Sequence, residues 1–155
     1  MLQYYPDACF ICGSDKFNQY PNTIRICDAC EAMINKNQIT VYKKVQLHVA
    51  HMLPGHETCG EMHGHSLDVV VGVRERLDFT NGMVIDFKVL KKILKEEVVD
   101  KFDHGCLNNT LPCPTAEYLA AYIYFKLNQK RMNVVMVRVH ETEDNYVEFT
   151  GDGDV

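Results

Sequence analysis

Seven cysteines and seven histidines stand out in a chain of 155 residues, and half of them fall at spacings that suit a metal ion. Cys9 and Cys12 form one C-x-x-C pair, and Cys27 and Cys30 form a second one after a gap of fourteen residues. Two such turns can wrap four thiolates around one cation, and zinc takes a closed tetrahedron of sulfur in structural sites. An odd number of cysteines cannot all be paired as disulfides, and C-x-x-C units without a secretory leader favour reduced thiols and metal. A redox-active C-x-x-C belongs in a βαβ unit, and that pattern is missing here. The expectation is a structural zinc on Cys9, Cys12, Cys27 and Cys30, in a module resembling zinc-ribbon or treble-clef units.

The histidines suggest a different chemistry. His63-Gly64-His65 places two imidazoles at i and i+2, on one side of an extended segment. His51 can complete a set of three if its strand lies alongside. Three neutral imidazoles leave the fourth position of zinc open, as in catalytic rather than structural sites. Spacing alone also allows three surface or core histidines. Cys59 lies four residues before His63, in the loop sequence Gly55-His56-Glu57-Thr58-Cys59-Gly60. A cation near a thiol lowers its pKa and makes the thiolate available as a base or nucleophile. Cys106 and Cys113 lack such a neighbourhood and read as ordinary thiols, and His48 and His56 read as loop or surface residues.

The elements that must position these groups follow from periodicity. Residues 1–38 read as a small separate unit, with turn formers between the cysteine pairs and a short helix after the second. Val45, Leu47 and Val49 alternate with Lys44, Gln46 and His48, which predicts a strand over 39–51. A loop follows over 52–62, then a strand over 65–77, then a hairpin at Asn81-Gly82 into Met83-Val84-Ile85. Asp86 is placed to N-cap a helix over 87–102. A second helix starts near Pro114-Thr115 with Leu119, Ile123 and Leu127 as its stripe. Strands over 134–140 and 146–149 complete a β-β-α-α-β-β order, an α+β domain over 39–155. The tail at 151–154 reads as frayed.

Composition sets the outer limits. With 46% apolar and 24% charged residues the chain reads as a packed globule. No run approaches the roughly 18 apolar residues of a membrane span. The opening MLQYYPDACF has neither a basic nor an apolar leader segment, so the expectation is a cytoplasmic protein. A net charge of -5 makes nucleic acid an improbable partner but leaves room for a small anionic substrate held by local cations.

Six motifs occur in order: His-Val-Ala-His-Met-Leu at 48–53; Cys59-x3-His63-Gly64-His65; Gly82-Met83-Val84-Ile85-Asp86-Phe87; Phe102-Asp103-His104 with Leu107-Asn108; Pro114-Thr115-Ala116-Glu117; and His140-Glu141-Thr142. Together they resemble the family of 6-pyruvoyl-tetrahydropterin and 6-carboxytetrahydropterin synthases over about residues 40–150. The resemblance implies the tunnelling fold, with subunits joined by their edge strands into trimers that stack in pairs. It implies His51, His63 and His65 as ligands of a catalytic zinc and Cys59 as general base. It also implies His104, preceded by Asp103, as proton relay, Glu141 as pterin anchor and second relay group, and Thr115 and Glu117 as polar groups near the pterin. The implied substrate is dihydroneopterin triphosphate. The Cys59-x3-His63 spacing resembles the carboxytetrahydropterin branch, whose product leads to 7-deazaguanine nucleosides such as queuosine; the other branch stops at the pyruvoyl compound. Two features depart from the family pattern: Leu47 stands where Phe is common, and the cysteine-rich head is extra. The competing reading is a non-catalytic binding module, which would have no need of Cys59, Asp103, His104, Glu141 and three histidines together.

Overall fold

The computed structural model describes residues 8, 9, 11–20 and 25–151. The turn at Pro21-Asn22 and the fraying of residues 152–154 lie outside the described residues. The chain forms two compact units, one of Met1–Thr40 with Arg74–Ile85, the other of Val41–Val73 with Asp86–Val155.

In the first unit, β1 (Asn18–Gln19) and β2 (Arg25–Ile26) pair antiparallel, and α1 covers Asp28–Lys36. This helix starts inside the second cysteine pair rather than after it. Cys27 is its N-cap, and its Sγ accepts the Cys30 N–H at 3.5 Å, so the thiol does the work usually done by a Ser or Asp oxygen. The buried core is small: Cys9, Ile26, Cys27, Cys30 and Phe79, with Phe17, Tyr20, Ile34 and Leu77 packed around them. Phe79 stacks on Tyr20 at 5.3 Å between ring centroids, so residues 74–85 supply part of this core. The Asn81-Gly82 turn forms as expected, with Gly82 at φ +73°. The Asp78 carboxylate accepts from the Thr80 N–H and hydroxyl and from Asn81 Nδ2, and these bonds hold it below the usual carboxylate range. The expected second strand of the hairpin reduces to one bridge, Asp78 to Met83, because Asp86 turns the chain into a helix.

The second unit is built on a five-stranded sheet in the order β5-β3-β4-β6-β7. β3 (Ile39–His51) and β4 (His63–Glu75) are neighbours, and β4 begins two residues earlier than expected. β6 (Val134–His140) pairs antiparallel with β4 and with β7 (Tyr146–Thr150). β5, the two residues Gly105–Cys106, pairs parallel with Val49 and Ala50; so short a strand leaves no periodic signature. One sheet face is apolar, with Leu47, Val49, Leu67, Val69, Val71, Val137 and Val139 all buried.

α2 (Phe87–Leu94) is capped by the Asp86 carboxylate, which accepts the Lys88 N–H at 2.7 Å. It runs through a π-helical turn at Lys95–Val99 into α3 (Asp100–Phe102). Leu90, Leu94, Val98 and Phe102 are all buried. A strict series of every fourth residue drifts by about 40° per step on an ordinary helix, and the wider π turn takes up that drift. Glu97 in this turn bridges Lys101 and Lys130 at 2.6 and 3.0 Å. α4 (Ala116–Gln129) is capped by Thr115 and packs on β6 and β7. No helix among the described residues is long and apolar enough to cross a membrane.

Candidate active site

His51 ends β3 in the same parity as Leu47 and Val49, and His63 and His65 open β4 in the same parity as Leu67 and Val69. The imidazoles therefore continue two apolar rows to the end of the core. Their ring centroids form a near-equilateral triangle with sides of 4.6, 5.0 and 4.9 Å. His51 Nδ1 meets the Pro114 carbonyl and His63 Nδ1 meets the Glu61 carbonyl, at 2.5 and 2.8 Å. A carbonyl can only accept, so both rings carry their proton on Nδ1 and leave the Nε2 lone pair for a ligand. This is how metal-bound imidazoles are usually oriented from behind. His51 Nε2 is buried and has no hydrogen-bond partner, an arrangement that costs free energy unless a cation fills it. Burial pushes the His65 pKa down, with His51 and His63 acting in the same sense and the Glu141 carboxylate in the opposite one. A lowered pKa keeps the ring in the neutral form that binds metal. One ligand atom from each ring lies within 4.8 Å of the other two. The three residues fit a divalent cation with an open coordination position.

The structure adds a positioning group behind the triad. Asn108 takes the Met52 N–H on Oδ1 at 3.0 Å and donates Nδ2 to the Met52 carbonyl at 2.9 Å, clamping the residue next to His51.

Cys59 lies in the loop between β3 and β4 and is half-buried. It is not among the side chains that converge on the possible metal position; its Sγ lies 3.6 Å from Thr58 Oγ1. The loop is organised by His56, which by residue type and spacing alone reads as an ordinary loop histidine. Its Nδ1 faces the Cys59 N–H at 3.1 Å, the Thr58 N–H at 3.3 Å and the Thr58 hydroxyl at 3.2 Å. Leu53 N–H to the Cys59 carbonyl at 2.7 Å closes the loop. An Asn or Asp oxygen often accepts from backbone two or three residues on. A histidine Nδ1 sits at the same distance from its Cα, and that analogy is the one signal that could have found His56.

Asp103 and His104 are together, with Asp103 Oδ2 3.0 Å from His104 Nδ1. The other Asp103 oxygen accepts the His48 N–H at 2.7 Å, and the His104 N–H donates to the His48 carbonyl at 2.7 Å. The His48 N–H is the main cause that lowers the Asp103 pKa, with His104 adding to it. His104 has φ +57°, a backbone conformation uncommon outside glycine and tolerated where surrounding bonds impose it. His48 is thus tied to this pair through its backbone, and its Nδ1 lies 3.0 Å from Ser66 Oγ.

Glu141 follows β6, and its N–H donates to the Asn145 carbonyl at 3.0 Å. Glu141 and Glu117 line one hollow of about 310 Å³ together with Ala116 and Tyr146. Thr115 is engaged as the α4 cap, accepting the Tyr118 N–H at 3.3 Å.

The four cysteines of the first unit also bring their sulfurs within 4.8 Å of one another. Cys12 and Cys27 are 3.6 Å apart, close to the spacing of two sulfurs on one zinc with bonds of about 2.3 Å. Burial opposes charge on Cys9, yet N–H groups of Cys12, Cys27 and Ile11 bring it down to about 6. Cys30, whose thiol is hydrogen-bonded to the Cys27 and Cys12 sulfurs, is pushed up to about 12. Four crowded thiols divide their protons unevenly, and a cation would release the rest.

The family model for 6-pyruvoyl tetrahydropterin synthase matches residues 40–152. The chain belongs to this family. Among its relatives, a putative 6-carboxy-5,6,7,8-tetrahydropterin synthase of Archaeoglobus fulgidus is 46% identical over 100 residues, 64% of this chain and 85% of that one. The 6-carboxy-5,6,7,8-tetrahydropterin synthase of Synechocystis is 43% identical over 96 residues, 57% and 74% of the two chains. The solved structure of Caenorhabditis elegans 6-pyruvoyl tetrahydropterin synthase superposes with a TM-score of 0.68 at 26% identity, covering 75% of this chain and 97% of that one. The α+β architecture with its mixed sheet is therefore the fold of the family.

Proposed function

We propose that the protein is a zinc-dependent lyase that converts dihydroneopterin triphosphate and one water to 6-carboxytetrahydropterin, releasing acetaldehyde and triphosphate. The observation that carries this reading is the triangle of His51, His63 and His65 around a buried Nε2 with no partner. Relatives above 40% identity bear the carboxytetrahydropterin name. A zinc ion held by the three imidazoles would supply Lewis-acid polarisation of the substrate side-chain oxygens.

The remaining chemistry falls to the chain's own groups. Glu141 accepts two parallel N–H bonds from the amino-pyrimidinone edge of the pterin, as a carboxylate does from a guanidinium, and Glu117 borders the same hollow. Thr115 holds the helix end that carries Glu117. The Cys59 thiolate takes the side-chain proton as general base, and His104, oriented by Asp103, returns protons. The four cysteines hold a second, structural zinc in a module of residues 1–38, with 39–155 as the synthase domain. β3 has a strand neighbour on its outer side only at Val49 and Ala50 among the described residues. The rest of that edge supports assembly into a trimer or a pair of trimers, since open edges are normally covered. The enzyme works in the cytoplasm, in 7-deazaguanine synthesis.

The solved neighbour named for the pyruvoyl product favours a second reading, in which the reaction stops at 6-pyruvoyl-tetrahydropterin. Mass spectrometry of one reaction decides. Acetaldehyde with 6-carboxytetrahydropterin is expected; the pyruvoyl compound alone would move the protein to the other branch, and no turnover would favour a non-catalytic module.

A further inference from the structure

The cysteine-rich unit contains a hollow of about 380 Å³ that the chemistry above does not use. Lys36, Arg74 and Arg76 line it with Asn37, Gln38 and Thr40, and no carboxylate does. In a chain of net charge -5 such a one-sign concavity is against the average. We infer that this hollow is a binding site for a phosphate group.

The local structure prepares it for an anion. Arg74 is the next-to-last residue of β4 and Arg76 follows just past its end, and both side chains border the hollow. Arg74 Nε donates to Thr40 Oγ1 at 2.9 Å, which fixes the plane of its fork. Lys36 lies in the last turn of α1, whose carbonyls would repel an anion if left bare. Asn37 covers two of them: its N–H donates to the Ile34 carbonyl at 3.0 Å and its Nδ2 to the Met33 carbonyl at 2.7 Å. Lys36 and Arg76 form no ion pair among the described residues, so both charges are available. Two planar forks and one point charge are the donor set that suits phosphate oxygens. The same chemistry serves a free polyphosphate or the backbone of a single-stranded RNA, and the two sources separate by experiment.

The test uses the full chain at low salt, with inorganic triphosphate as probe in calorimetry and a labelled oligouridylate in fluorescence anisotropy. The Lys36→Ala, Arg76→Gln double variant is compared with a control that removes the same charge elsewhere, Lys88→Ala with Lys91→Ala. Loss of charge-assisted bonds should weaken binding of at least one probe by roughly tenfold in the first variant and leave the control within about twofold. A loss confined to triphosphate identifies a small polyphosphate, and a loss confined to the oligonucleotide identifies RNA. Arg76→Gln alone, which changes one exposed side chain, should show part of the loss should the double variant fold poorly. Equal weakening in the double variant and the control, or no binding of either probe to the wild type, overturns the proposal.

Discussion

The four cysteines and the three histidines both bring ligand atoms within 4.8 Å of one another, yet they stand in opposite relations to their surroundings. Cys9, Cys27 and Cys30 are buried and make up much of the core of their own unit, alongside Ile26 and Phe79. So few apolar side chains cannot offset the entropy of ordering the segment, and a bound metal would supply most of the stability. The histidines lie at the rim of a core that does not need them. Leu47, Leu67, Val69, Leu90, Leu119 and Ile123 are all buried there, an apolar set far larger than that of the cysteine-rich unit. Only His51 of the three is buried, and the set supplies three ligands where a closed site has four. On the proposed function, one cluster holds a fold and the other a reaction.

The comparison can be broken most severely at Cys59. If the histidine side is the reactive one, Cys59→Ala should lose about 10²–10⁴-fold in turnover, the usual cost of removing a general base. Its metal content and melting temperature should stay close to wild type. Cys106→Ala should turn over nearly normally. Steady-state kinetics on dihydroneopterin triphosphate measures both, and near-normal turnover of Cys59→Ala would remove that residue from the mechanism.

A smaller effect sharpens the role of the loop. His56→Ala removes the acceptor of the Thr58 and Cys59 N–H groups, and turnover should fall by roughly tenfold, the equivalent of about one lost hydrogen bond to a buried or constrained group. His56→Asn, whose Oδ1 can take the place of Nδ1, should recover most of it, while His56→Gln should not. If Asn is no better than Ala, the Nδ1 contacts do not position Cys59.

The smallest effect concerns stability away from both clusters. Lys101 and Lys130 hold Glu97 at about 2, below its ordinary 4.5. A carboxylate with a lowered folded-state pKa stabilises above its unfolded value, and that contribution fades as pH falls from about 4.5 towards 2. Glu97→Gln should be less stable than wild type at neutral pH, with the gap closing on acidification. Urea denaturation at several pH values reads this directly, and a constant gap would contradict it.

Much of this arrangement was legible from residue order. Alternation of Val45, Leu47 and Val49 places β3 at 39–51, the strand expected over 134–140 is β6, and Asp86 marks a helix start because its carboxylate can accept a free N–H of the first turn. His51, His63 and His65 could be suspected because strand parity puts them on one face. What was hidden depended on contacts distant in sequence. Phe79 and Leu77 join the cysteine-rich core although nothing in residues 74–85 announces a partner. β5 is two residues long. The π turn at 95–99 shows only as a spacing of four between buried residues, and ordinary helices often allow that. His56 is hidden because a ring nitrogen accepting backbone N–H groups looks, in sequence, like any polar loop residue.

The central claim is that the two clusters are separate metal sites of different kinds, and metal analysis joined to thermal unfolding tests it most directly. The intact protein should carry about two zinc ions per chain, as four thiolates and three imidazoles require. Cys27→Ser should lose one ion and show a marked loss of stability; His63→Ala should lose the other with its melting temperature little changed and its turnover gone. One ion per chain in the intact protein, or both ions lost together from either variant, would contradict the account.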